Sequence, residues 1–189
     1  MCYTKKSSPI IIGHRGARAY APENTISGYK AALEQQVDCI DVDVVVTRDM
    51  VLLAYHDLLL NPDILCSIDG SYLANSKAAF MQQLEQYNFH DVAIKHLTLS
   101  ELKQRYRVKL NHNSPYAQWF PDQKNAANTY LASLQEVVDY VNQATNGTMP
   151  IQVEIKNSFD HPQWCYSADE LAHIMYEQNS EYEEMAKLY

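Results

Sequence analysis

Basic residues are scarce in this 189-residue chain: 15 lysines and arginines stand against 23 aspartates and glutamates, a formal net charge of −8. No basic block is available to neutralise a phosphate backbone, which argues against nucleic acid as a partner. An acidic protein that handles an anionic substrate needs a local cation, either a metal or a few placed Arg and Lys side chains. Apolar runs fall short of the roughly 20 residues that cross a bilayer, so no transmembrane segment is expected. The opening MCYTKKSS carries no apolar leader. That reads as a cytoplasmic location, although a chain trimmed of a leader would look the same. Cysteine is sparse and scattered (Cys2, Cys39, Cys66, Cys165), with no CxxC and no histidine at zinc spacing. Free thiols are expected. Internal repeats and low-complexity segments are also missing. What remains, 47% hydrophobic and 20% charged residues, is ordinary for one globular domain with a real core.

The most informative stretch is Ile10–Thr25, IIIGHRGARAYAPENT. Three β-branched residues predict a strand buried on both faces. Gly13 and Gly16 then bracket His14 and Arg15, placing them at the strand exit. Pro22-Glu23-Asn24-Thr25 reads as the start of a helix over 25–36 with an acidic first turn, Glu23 and Asn24 serving as capping residues. Val37–Thr47 is a strand on which Asp41 and Asp43, two apart, share one face. A turn at Arg48-Asp49 leads to a strand over Met50–Tyr55 that ends at His56-Asp57.

Farther on, Lys77–Tyr87 has helical spacing, and Leu97–Arg107 reads as a helix with Ser100 as N-cap. Asn111–Thr129 is a long polar loop, of the kind that often serves as a lid. Leu131–Gln143 is an amphipathic helix closed by Asn146-Gly147. Met149–Lys156 is a strand with Glu154 and Lys156 on one face, and Glu170–Gln178 and Glu181–Leu188 are helical.

In a parallel α/β architecture, strand ends share one rim. His14 and Arg15, Asp41 and Asp43, His56, and Glu154 and Lys156 would meet there. Three carboxylates form an oxygen site suited to Mg²⁺ or Ca²⁺. Two histidines can divide acid and base work, and Arg15 and Lys156 can grip phosphate. Together they point to metal-assisted phosphodiester cleavage.

The runs HRG (14–16), PENT (22–25), DVD followed by TRD (41–49), HD (56–57), LTLSEL (97–102) and VEIK (153–156) resemble the glycerophosphodiester phosphodiesterase family. The resemblance covers about residues 10–160. It implies a (β/α)₈ TIM-type barrel, one divalent cation, and hydrolysis of glycerophosphodiesters to glycerol 3-phosphate and an alcohol. It further implies attack by a glycerol hydroxyl, through a cyclic phosphate that water opens. Carried over by position, His14 and His56 are the acid/base pair, Arg15 and Lys156 the phosphate contacts, and Asp41, Asp43 and Glu154 the metal ligands. Two departures stand out. Asp41 occupies a position where the family has Glu. Only four strands are expected here, whereas a whole barrel needs about 250 residues. Residues 1–189 are therefore expected to form an incomplete barrel domain, the first four strand–helix units, with open edges prone to self-association. Alternative readings are a lysophospholipid or sphingomyelin phosphodiesterase on the same barrel, or a non-catalytic fragment that pairs with another half.

Overall fold

A computed structural model describes residues 9–126 and 129–186. Cys2, residues 127–128 of the long loop and the end of the predicted 181–188 helix lie outside them. In chain order come strand β1 (Ile12–Gly13), helix α1 (Ile26–Glu34), strands β2 (Cys39–Val46), β3 (Leu52–Ala54) and β4 (Leu65–Ser67), and helices α2 (Lys77–Gln82), α3 (Phe89–Val92) and α4 (Leu99–Arg105). Strand β5 (Tyr106–Val108), helix α5 (Leu134–Thr145), strand β6 (Ile151–Ile155) and helix α6 (Ala168–Ala186) follow.

Strand β2 is the axis of the sheet. It pairs in parallel with β1 and with β6, and antiparallel with β3. The Asp43 carbonyl accepts from Tyr55 N and the Val44 carbonyl from Lys156 N. Carbonyls of consecutive strand residues point to opposite edges, so β1 and β3 share one edge of β2 and β6 takes the other. Ile40, Val42, Val44 and Val46 turn to one face and pack on Tyr29 and Ala32 of α1, Leu134, Val137 and Val141 of α5, and Leu171 and Ile174 of α6. The alternation of a strand then sends Asp41 and Asp43 to the opposite face. Gln152 and Glu154 stand beside them, because Asp41 is in register with Gln152 and Asp43 with Glu154. A second core joins Leu53, Tyr55, Leu60, Phe80, Ile94 and Leu102 beneath the excursion between β3 and α4.

Several expectations need correction. Ile10, Ile11 and Ile12 are 56%, 59% and 47% exposed, not buried on both faces, because none of them packs into either hydrophobic core among the described residues. The strand before His56 is antiparallel, so the parallel set described here is β1, β2 and β6 and not four strands. Thr25 caps α1, its hydroxyl accepting from Gly28 N, and the first turn of α1 holds no acidic residue. Thr98, not Ser100, caps α4 through a capping box with Glu101. That helix stops at Arg105 because β5 pairs with β4. Asn146 closes α5 in the left-handed conformation as read, and 168–186 is one continuous helix. No helix among the described residues is long and apolar enough to cross a membrane.

Candidate active site

The turn after β1 presents His14 and Arg15, and its shape depends on two glycines in close contact. Gly16 has φ +83°, and a Cβ on it would lie 2.6 Å from the carbonyl carbon of Gly28. This packing brings the turn down onto the start of α1, where Asn24 N donates to Arg15 O at 3.0 Å. Arg15 and Asn24 both sit at positive φ (56° and 51°), a cost that side chains other than glycine accept where surrounding contacts hold them.

Asp43 is fully buried at the centre. Arg15 Nε lies 2.8 Å from its Oδ2 and Lys156 Nζ 2.8 Å from its Oδ1. Neither Arg15 Nε nor Asp43 Oδ1 finds an aligned hydrogen bond, so these are charge contacts across an imperfect angle. Asn24 completes the clasp: its Nδ2 donates to Asp43 Oδ2 at 3.2 Å and its Oδ1 accepts from Asp43 N at 3.2 Å and Tyr29 OH at 3.0 Å. Burial alone would raise the Asp43 carboxyl, but Lys156, Arg15 and Asn24 hold it below its ordinary value. Glu154, more than half exposed, pairs with Lys156. Asp41 Oδ2 lies 3.3 Å from Arg15 N and 4.0 Å from His14 Nε2. Burial, with the Arg18 and Arg15 guanidiniums nearby, pulls the His14 imidazole below its usual value despite Asp41 and Asp43.

His56 enters from the other direction, since β3 runs back along β2 and Tyr55 N donates to Asp43 O. With Lys156 it lines a cleft of about 360 Å³. Its lining also includes the apolar Leu58, Phe80, Met81 and Trp164. The Nδ1 of His56 is 3.2 Å from Asp57 Oδ1. The structure thus brings His14, Arg15, Asp41, Asp43, Glu154 and Lys156 onto one face of β2 and β6, with His56 beside Lys156.

No three ligating side chains among the described residues already converge as a metal cage. Arg15 and Lys156 lie against Asp43, the carboxylate read as a shared ligand. Asp41, Asp43 and Glu154 nevertheless offer oxygens alone, the donor type a hard divalent ion takes, while Arg15 and Lys156 compensate the Asp43 charge in this structure.

Sequence reading gave some members of this cluster another role, although a pairing of Arg15 with Glu23 is visible in it and is present here. Glu23 and Asn24 do not cap α1. Glu23 is 3% exposed, takes Arg15 Nη1 at 2.8 Å, and accepts from Tyr116 OH at 2.6 Å. The PENT run (22–25) is the sequence signal that contains them, but their burial against Arg15 and Asp43 shows only in the structure. In the sequence Asp57 stands out only as part of the HD run, without a role, and Lys77 only as the start of a helical stretch.

Residues 14–187 match the Glycerophosphoryl diester phosphodiesterase family. The chain is 25% identical over 164 residues to a glycerophosphodiester phosphodiesterase of Haemophilus influenzae, over 84% of this chain and 42% of that protein. It superimposes with a TM-score of 0.68 on a Silicibacter pomeroyi structure assigned to the glycerophosphoryl diester phosphodiesterases, at 24% identity, covering 84% of this chain and 49% of that one. A second superposition, TM-score 0.52 at 20% identity, is with an Oleispira antarctica phosphodiesterase in complex with sn-glycerol-3-phosphate, covering 89% and 52%. These structural likenesses carry the fold, a TIM-type barrel, and the chain spans about half the length, or less, of the relatives it matches.

Proposed function

Because the chain belongs to the glycerophosphoryl diester phosphodiesterase family, we propose that it hydrolyses glycerophosphodiesters to glycerol 3-phosphate and an alcohol. The observation that carries this reading is the single face of β2 and β6 on which Arg15, Asp41, Asp43, Glu154 and Lys156 meet, with a histidine on each approach. Arg15 and Lys156 bind the phosphate oxygens. One of His14 and His56 takes the proton of the attacking hydroxyl, and the other returns a proton to the departing alcohol oxygen. A glycerol hydroxyl attacks first, and water opens the resulting cyclic phosphate. Asp41, Asp43 and Glu154 are the residues that would hold one Mg²⁺ or Ca²⁺, which would neutralise phosphate charge. Asp41 keeps the charge of the Glu expected there with one methylene less reach.

Three parallel strands do not close a cylinder. A closed barrel would set strands against the outer edges of β1 and β6, which pair only with β2 among the described residues. The apolar part of the cleft lining favours a second reading, an amphiphilic lysophospholipid or sphingomyelin substrate.

The test is release of glycerol 3-phosphate from glycerophosphocholine with Mg²⁺ or Ca²⁺. His14→Ala and His56→Ala should each lower kcat on the order of 10²-fold or more. Activity indifferent to both substitutions would overturn the assignment. Preference for a lysophospholipid over glycerophosphocholine would select the second reading.

A further inference from the structure

The excursion between β3 and α4 carries α2, and α2 begins at Lys77. This lysine reaches back 20 residues to Asp57, pairing its Nζ with Oδ1, the same oxygen that meets His56 Nδ1. The other Asp57 oxygen accepts from Asn61 Nδ2 at 2.7 Å. Each partner is itself fixed. Asn61 N donates to the buried Tyr55 hydroxyl at 2.8 Å, and Asn61 Oδ1 accepts from Asp63 N at 2.9 Å. Lys77 N donates to Asp63 Oδ1 at 2.8 Å, which also takes the Ser114 hydroxyl.

A carboxylate whose side chain is 10% exposed needs its charge compensated and its lone pairs filled. Lys77 and Asn61 do both. They leave Asp57 charged and aimed at one ring nitrogen of His56. We propose that Lys77 is a positioning residue for His56, acting through Asp57. A charged Asp57 fixes the proton of neutral His56 on Nδ1 and turns Nε2 toward the cleft that His56 shares with Lys156. The charged groups facing His56 are Asp57 on its own segment, Lys77 from α2 and Lys156 beyond β6. Without Lys77, Asp57 loses its counter-charge, its side chain is free to rotate toward water, and the imidazole loses its fixed tautomer. The same logic governs hydrolases in which a buried aspartate orients a histidine, where losing the orientation costs several orders of magnitude in kcat. Lys77 stands one step further out, so a smaller effect is expected.

This inference rests on the proposed reaction for its kinetic arm and is independent of it for its spectroscopic arm. In the full chain labelled with ¹⁵N-histidine, near neutral pH, His56 should show the Nδ1-protonated tautomer. Lys77→Met should convert it to a mixture dominated by Nε2–H, and Lys77→Arg should restore the wild-type signal. On a glycerophosphodiester, Lys77→Met should lower kcat about 10-fold with KM changed less than about 2-fold, and Lys77→Arg should recover most of the loss. The lysine is 44% exposed, so the variant should keep the wild-type circular dichroism. If Lys77→Met loses the wild-type tautomer but wild type cleaves no glycerophosphodiester, the reaction falls and the positioning role stands. If Lys77→Met keeps the wild-type tautomer signal, the positioning role is overturned whether or not the enzyme is active.

Discussion

Asn24 touches Asp43 with both ends of its amide and the Tyr29 hydroxyl besides. Asn24→Ala leaves those buried groups without partners, which should cost about 2 kcal/mol of stability in denaturant unfolding. Asn24→Asp should do worse, because it sets a second carboxylate against Asp43. At Asp57 the effect of pH has a definite sign. His56 and Lys77 hold its folded carboxyl well below the unfolded value, against the upward push of burial. Its stabilising contribution is therefore full above the unfolded value, about 4, and is lost as pH falls below that toward the folded value. Unfolding free energies measured between pH 7 and pH 3 should fall more steeply for wild type than for Asp57→Asn. Parallel slopes would contradict the buried pairing.

At the scale of elements, α4 offers a clean comparison between two candidate caps. Thr98→Ala should cost about 1 kcal/mol, since it removes the hydroxyl that accepts from Glu101 N. Ser100→Ala, at the second residue of the helix, should stay within about 0.5 kcal/mol. Ser100 looked equally good in the sequence because a cap depends on where backbone N–H groups become free, and that point was set by Arg48 donating to the Leu97 carbonyl. The direction of β3 was legible and was overlooked. Thr47-Arg48-Asp49-Met50 joins it to β2 with Met50 N bonded to Thr47 O. A connection that short permits only an antiparallel return, whereas a parallel strand needs a crossover of a dozen residues or more. The short ribbon of β4 and β5 could not be read, because neither has the alternation or the turn that marks a hairpin. The site itself was more visible. Strand alternation put Asp41 and Asp43 on one face, and Glu154 and Lys156 on one face, before any coordinates. What patterning could not supply was the ionic partnership between Asp43, Arg15 and Lys156, which depends on β1 and β6 flanking β2.

Among the described residues, β1, β2 and β6 form the parallel set of a TIM-type fold, with β1 and β6 on opposite edges of β2. The isoleucines before and within β1 lie in the open, an apolar strand edge of the sort that recruits another strand. Sedimentation velocity over a range of concentrations should show association, and Ile11→Lys should weaken it. A compact monomer at every concentration would count against an edge in need of a partner. The same architecture gathers the acidic residues on the inner face of β2 and β6, and the reading of this chain depends on what that face binds. The decisive measurement is calorimetric titration of the protein with Mg²⁺ and with Ca²⁺, repeated on Asp43→Asn. One ion bound per chain by wild type and none by Asp43→Asn is the predicted result. Absence of binding in wild type, or binding that Asp43→Asn leaves unchanged, would contradict it.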